Sequence, residues 1–482
     1  MLKKIFKRSA LLAGALLVIW SCKESFLSPA PTDRISDASY WKTPAEFEAG
    51  LFAAYFAMQW DATGDSWHTL AGMPTGDVRP QEDPDYQNLE GLNFADNNRY
   101  FGAQWSTLWL LITRANLVIT RLEESTIPQA DKTRIMAEAK FLRGFGYFQL
   151  ARSFGGVPLI LAAQTAASPT DVASTPAAQV FAQVVKDLTE AAAGLPAKWN
   201  NDNIGRANKG AALGYLAYTN MYLKQWPAAA KATEDLFAIG TYALESDYRK
   251  LFDIQNENNE ESVFEVQYRF TQIGWGPSRN GHYQATRQAP RGVGDKFAPM
   301  GGWGVYVPTQ ELVDAFEPGD TRRATTILGP GETYFGFKMI PTATSTGYAF
   351  TKHWIGPNIN DHSGLNLTQL RFAEVLLNYA EILNELNRTA EAYPFINRVR
   401  ARAKLAPLTV GSKQQAMDAI MRERRVETFA EFNTWYDLTR TGRAAAFVKK
   451  EYGRTLAPHM TIFAIPQSEL DLNTALKQNP GY

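Results

Sequence analysis

The sequence predicts a mainly α-helical protein that carries one irregular, loop-rich lobe with a few short strands. Three observations predict it. Most long segments repeat apolar residues at three- and four-residue spacing. Two stretches, about 209–239 and 370–403, read as helical hairpins of the tetratricopeptide kind. Two others, 60–100 and 262–366, hold glycine, proline and aromatic residues with no sustained helical period.

The helices follow in order. Ala45–Gln59 places Phe47, Leu51, Ala54, Tyr55 and Met58 on one face. Trp105–Leu122 does the same with Leu108, Leu111, Ile112, Ala115, Val118, Ile119 and Leu122. Asp131–Phe154 starts at an aspartate suited to cap a helix and stops at Gly155 and Gly156, with Pro158 beyond. Ala177–Ala193 stops before Leu195 and Pro196, and the small, polar stretch 162–178 ahead of it reads as a surface loop. In the first hairpin Ala217, Tyr218 and Tyr222 precede Trp226 and Pro227, and Ala230, Thr233 and Phe237 follow. In the second, Val375, Leu376, Tyr379, Ala380 and Leu383 precede Ala390, with Phe395, Ile396 and Val399 after it. One hairpin leaves an apolar face open, so several pairs are expected to stack.

Between the hairpins the character changes. Ser262–Tyr268 carries Val263, Phe264, Val266 and Tyr268 and reads as a strand. Thr271–Gly304 holds eight glycines and three prolines together with Trp275 and Trp303. Pro308–Phe316 reads as a short helix ahead of Pro318 and Gly319, and Thr346–Asn366 is irregular again. Loops of this length are functional or disordered, and the aromatic content argues against disorder.

The chain begins with a basic stretch, Lys3, Lys4, Lys7 and Arg8, then an uncharged run from Ser9 to Ser21, then Cys22, its single cysteine. A basic start, a short apolar run and a small residue make a secretory signal. The run Ala10–Trp20 is too short to span a bilayer as a mature helix. A cysteine at the cleavage point is the lipoprotein pattern, so residues 1–21 are expected to be removed and Cys22 lipidated. Residues 22–40, with Pro29 and Pro31, read as a tether. Beyond the signal the chain has 45 basic and 49 acidic residues. That balance gives no basic surface for nucleic acid.

Catalytic motifs are missing from the sequence. It has no His-Glu-x-x-His, no P-loop and no dinucleotide fingerprint. Gly276–Asn280 lacks the last glycine of a nucleophile elbow. The five histidines, His68, His282, His353, His362 and His459, show no close ligand spacing, so no metal and no cofactor are expected. A glycosidase needs only two carboxylates, which leaves an exported hydrolase as the rival reading.

With 12 Trp and 20 Tyr, aromatics are abundant, and many fall in the irregular stretches. Rings on loops suit the apolar faces of sugars, while Asp, Asn and Arg hold hydroxyls. The candidate aromatic platform is Trp67, Trp275, Trp303 and Trp354, with Asp77 and Arg79 as polar clamps and Arg279 and Tyr306 alongside. Each tryptophan could instead fill the lobe's own core, and for Trp303 that reading is at least as good. The basic stretch Arg279, Arg287, Arg291 and Lys296 could favour an anionic glycan or pair with the acidic run Glu82, Asp83, Asp85, Glu90 and Asp96. Pairing is the expectation.

From Cys22 to Tyr482 the sequence resembles the SusD/RagB family of outer-membrane nutrient-binding lipoproteins. The resemblance rests on Ala137–Leu159, Arg206–Leu213, Leu370–Glu381, Arg422–Glu431 running on to Arg440, and the C-terminal Ile465–Asn473 and Gln478–Tyr482. It implies an α-α superhelix of tetratricopeptide-like pairs with a ligand-binding lobe, formed by one domain over 22–482. It also implies an oligosaccharide or polysaccharide ligand and a partner, a SusC-type TonB-dependent transporter that imports what the lipoprotein delivers. A peptide ligand is the alternative within the family. Lys23 and Glu24 resemble a surface-export signal that Ser25 interrupts. The family's binding residues vary, so none is carried over by motif. Arg143, Glu374, Arg425, Glu427 and Glu431 sit on otherwise apolar helices within these motifs and are expected to form buried ion pairs or caps.

Overall fold

The computed structural model describes residues 40–59, 65–81, 83–269, 281–293, 302–355, 363–431 and 433–482. Cys22, the signal and most of the tether lie outside them.

The apolar periods become helices at nearly the expected bounds. They are α1 (Pro44–Ala57), α2 (Asp65–Gly72), α3 (Pro84–Glu90), α4 (Arg99–Glu123), α5 (Gln129–Phe154), α6 (Ala177–Gly194), α7 (Lys209–Tyr222) and α8 (Trp226–Ala238). After the lobe come α9 (Phe372–Glu385), α10 (Thr389–Arg402), α11 (Lys413–Glu427), α12 (Thr434–Arg440) and α13 (Ala444–Tyr452). The long helices stack in chain order: α1 on α4, α4 on α5, α5 on α6, α6 on α7, α7 on α8, α8 on α9, α9 on α10. This is a superhelix of helix pairs, and both predicted hairpins are two of its pairs. Small residues allow the close approach. A Cβ on Gly146 of α5 would stand 2.7 Å from Ile112 of α4.

Two local expectations are corrected. Asp131 does not cap α5; Pro128 holds that position, and Asp131 lies in the first turn, where its charge suits the helix dipole. Pro308 does not open a helix. It ends a strand, and Thr309 caps the short helix Gln310–Asp314 by accepting from the Leu312 amide.

The lobe is held by short antiparallel ladders among the described residues. β1 (Val78–Pro80) pairs with β3 (Tyr306–Pro308), and β2 (Ser262–Val266) pairs with β8 (Leu367–Arg371). β4 (Ile327–Leu328) pairs with β7 (Ala349–Phe350), and β5 (Thr333–Tyr334) with β6 (Phe337–Lys338). A continuous apolar core runs through helices and lobe, and a smaller cluster surrounds Trp354.

Lobe and helices meet at a buried cluster of charges. Glu427 of α11 accepts from Arg371 at 2.9 Å, from Arg322 at 3.1 Å and from Arg402. Arg371 also reaches Glu261 and Glu431, each at 2.5 Å. Lys352 donates to Glu431 at 2.6 Å and to the carbonyls of Glu427 and Phe429. Burial alone would raise the proton affinity of Glu427, but the surrounding guanidiniums and Lys352 reverse it and hold the carboxyl well below its ordinary value. Lys352, buried, is pushed down to about 8. The expected pairing of the motif charges also places Arg143 on Asp187 at 2.7 Å and Arg425 on Asp77 at 2.5 Å. Glu374 departs from it. Its carboxyl accepts from the Asn433 amide at 2.7 Å, it has no ion pair among the described residues, and burial pushes it up to about 8.

Removing one member of a buried ion cluster strands the others. Glu427→Gln is expected to lower stability by about 3–5 kcal/mol in urea unfolding. Arg323→Ala, which breaks the half-exposed pair with Glu332, should cost no more than about 1 kcal/mol. Equal losses would contradict the central role given to the cluster.

Candidate ligand-binding site

Three segments converge on an open cavity of about 600 Å³. The first is the C-terminal half of α1 with Met58 and Gln59. The second is the turn Ile204–Arg206 ahead of α7. The third is β2 with its extension Gln267, Tyr268 and Arg269. α1 buries Phe47, Leu51 and Ala54 on α4 and α5, so Phe52 and Phe56, four residues apart, lie off that stripe. Phe52 is 50 % exposed and Ile204 48 %, large apolar side chains left in water at the cavity. Exposed apolar surface framed by polar groups marks a ligand site.

The polar frame is fixed from below. Arg206 donates to Glu138 at 2.6 Å and Glu48 at 2.8 Å, and its guanidinium lies 5.2 Å from the Phe52 ring and 5.0 Å from Trp199. Tyr55 donates to Glu138 at 2.9 Å and accepts from the Ala207 amide at 2.9 Å. Burial pushes the Tyr55 phenol well above its ordinary value, so it stays a neutral donor. Gln59 donates to the Gln267 carbonyl at 2.7 Å, and Tyr268 donates to the Gln59 carbonyl at 3.1 Å. The Gln59 side-chain oxygen has no donor among the described residues. Gly205 has φ +91°, and a Cβ there would overlap the Gln267 side chain. Only glycine serves both needs. Apolar rings beside amides and a guanidinium can take a flat apolar ligand face and its hydroxyls together.

The sequence-predicted site residues are elsewhere or spent on structure. Trp67 is buried, stacked 6.1 Å from Phe145 and 4.4 Å from the Arg152 guanidinium, so neither ring face is open. Trp354 is the centre of the small core cluster. Tyr306 is buried against Thr69. Asp77 is fully buried, held by Arg425 and Tyr452. Arg79 pairs with Glu90 at 2.5 Å. Trp67, Trp354, Tyr306 and Asp77 are covered where they stand, and Arg79, partly exposed, is paired. Trp303 is half-buried and stacks on Tyr283 with centroids 5.6 Å apart. Trp275, Arg279, Lys296 and His362 lie outside the described residues. In the acidic run, Asp83 and Asp85 pair with Arg99, and Glu90 with Arg79 and Arg454. Arg287 donates to the Tyr86 hydroxyl at 2.7 Å.

The fold does gather three histidines that sequence spacing keeps apart. His353 lies 5.3 Å from His68 and 6.4 Å from His282, ring centre to ring centre, all three buried. Burial and its neighbours keep His353 far below its ordinary value, hence neutral. Among the described residues no group of three or more His, Cys, Asp or Glu could hold a metal ion. A larger cavity, about 920 Å³, lies between residues 311–318 and α11–α13. Its charges are largely spent on one another, as in Arg443–Asp418 at 2.6 Å and Arg425–Glu451 at 2.9 Å. The cavity at Phe52 is therefore the better candidate.

Stacked helix pairs, a loop-bearing lobe and an open, aromatic-edged cavity define a helical-repeat binding protein. Residues 260–482 match the family model described as the SusD family, and residues 68–223 one described as starch-binding associating with outer membrane. SusD-like protein P38 of Formosa agariphila is 29% identical over 97% of both chains. A SusD-like protein of Bacteroides ovatus is 27% identical over 90% of this chain and 83% of its own. Among solved structures, a laminarin-binding SusD-like protein is 27% identical with a TM-score of 0.78, covering 92% of this chain and 100% of its own. A SusD superfamily protein from Bacteroides vulgatus is 25% identical with a TM-score of 0.79 over the same shares. Surface glycan-binding protein A from Bacteroides thetaiotaomicron, in complex with laminarihexaose, shares the fold at 23% identity and a TM-score of 0.77, covering 91% of this chain and 100% of its own. The chain belongs to the SusD/RagB family.

The two kinds of aromatic should respond oppositely to truncation. Trp67→Ala is expected to cost about 3–5 kcal/mol in denaturant unfolding. Phe52→Ala should change stability by no more than about 0.5 kcal/mol. A stable Trp67→Ala protein would contradict the placement of that ring in the core.

Proposed function

We propose that this protein is a surface lipoprotein that binds an oligosaccharide or polysaccharide and delivers it to a SusC-type TonB-dependent transporter of the outer membrane. The observation that carries the binding step is the cavity at Phe52 and Ile204. There exposed apolar surface adjoins Gln59, Gln267 and Arg269. Family membership and the laminarin-binding relative support a glycan as the ligand. The lipoprotein-like start ending at Cys22 and the outer-membrane family description support the location. Among the described residues no helix is long and apolar enough to cross a membrane, so in this reading the Cys22 lipid is the anchor. The role is capture and handover without bond cleavage; import energy comes from the transporter.

The test is calorimetric titration of the full-length protein in a sugar-free detergent, against neutral glycans, uronic-acid glycans and peptides. Saturable glycan binding is expected, weakened by about 1–3 kcal/mol in Phe52→Ala. Product release during the titration would instead make the protein a hydrolase, and binding of peptides alone would move it to the peptide-binding side of the family.

A further inference from the structure

Glu265 lines the cavity and Glu257 is joined to it through Asn366, and neither carboxyl has a counter-cation among the described residues. Glu265 and Gln267 share one face of β2 and its extension, by strand alternation, and the Gln267 side chain lies over Gly205 at the cavity. The Glu265 carboxylate accepts from the Asn258 amide at 3.1 and 3.2 Å and from the Asn366 side chain at 3.0 Å. The Glu257 carboxylate accepts from the Asn366 backbone amide at 2.7 Å. Asn366 therefore bridges the pair, and the Asn258 and Asn366 amides also hold Gln267, at 3.0 and 2.9 Å.

These hydrogen bonds come from neutral groups, which fix an anion's position without cancelling its charge. Among the described residues neither glutamate has an ion pair, in contrast to Glu138, Glu261 and Glu427. Arg206 is committed to Glu48 and Glu138, and Arg269 is exposed at the cavity wall. Glu265 is only 4% exposed, so its field extends through protein rather than solvent.

We propose that Glu257 and Glu265 act as a charge filter under the binding cavity, so that the site accepts neutral oligosaccharides and rejects those bearing uronic acids. This rests on the binding site proposed above. A sugar carboxylate entering the cavity meets a buried carboxylate that no ion pair neutralises among the described residues, and like charges at close range are disfavoured. A neutral sugar meets the same apolar rings and amides without that penalty. Burial raises the proton affinity of both carboxyls, so their charge is fullest above neutral pH. Burial, with the Glu265 charge beside it, pushes Glu257 up to about 7.

The experiment is calorimetry at pH 8 on the full-length protein, with matched pairs of hexasaccharides. The probes are β-1,3-glucan, β-1,4-mannan and α-1,4-glucan hexamers, each with its C6-oxidised, uronic-acid twin. For whichever backbone binds, the neutral form is expected to bind at least tenfold more tightly than its twin. Glu257→Gln and Glu265→Gln should each narrow that gap at least threefold. In the unaltered protein, raising salt from 50 to 500 mM should tighten the oxidised twin and leave the neutral form unchanged, which decides the matter even if a variant folds poorly. An oxidised twin that binds as well as the neutral form, or a gap that neither salt nor the variants move, overturns the filter while leaving the binding site intact. No binding by any of the six removes the cavity as a site for these glycans, and the filter with it.

Discussion

The structure depends on the buried charge cluster around Glu427. It collects side chains from the lobe and the C-terminal helices: Glu427 from α11, Arg402 from α10, Arg371 from the end of β8, Glu261 from the start of β2, and Arg322 and Lys352 from the lobe. Such a cluster is costly to desolvate, and removing one charge strands the others. That mutual dependence ties the lobe to the C-terminal helices. It also reaches the candidate site. The β2–β8 ladder has Ser262 opposite Arg371 at the cluster end and Val266 opposite Leu367 at the other. The far end continues into Gln267, Tyr268 and Arg269, the cavity wall. A clamp at one end of a five-residue ladder thus positions the wall of the candidate site about 15 Å away.

Aromatic abundance proves to be mainly a packing device. Phe141, Phe145, Phe148, Tyr215 and Phe264 form one continuous set of edge and tilted contacts between helices and lobe. Trp67 and Tyr436 enclose the buried Arg152 guanidinium at 4.4 and 4.1 Å. The cavity draws instead on Phe52, Tyr55 and Phe56, from a helix, with polar groups from a turn and a strand. A rigid helix is a better carrier of such a surface than a loop, because its side-chain directions are set by the backbone.

The helices were legible in the sequence because burial on one face imposes a 3.6-residue period that local residues record. The Ser262–Tyr268 strand was legible for the same kind of reason, with period two. The site was not. Asp77 looked like a free polar clamp because its partner, Arg425, is 348 residues away. Trp67 and Trp354 looked exposed because glycine- and proline-rich surroundings hide which rings the fold will cover. The residues that line the cavity come from three distant segments, and only one local signal pointed there: the Phe52–Phe56 pair standing off the buried stripe of α1. The three buried histidines carry the same lesson, since no spacing in the chain announces them.

The central claim is that the cavity between α1, the Ile204 turn and the extension of β2 is where the ligand sits. Amide hydrogen exchange with and without a bound neutral oligosaccharide tests it most directly. The account predicts ligand-dependent protection in residues 52–59, 204–207 and 264–269. Protection confined to residues 311–318 and 418–451, with those three segments unchanged, would contradict it and place the site in the larger charged cavity instead.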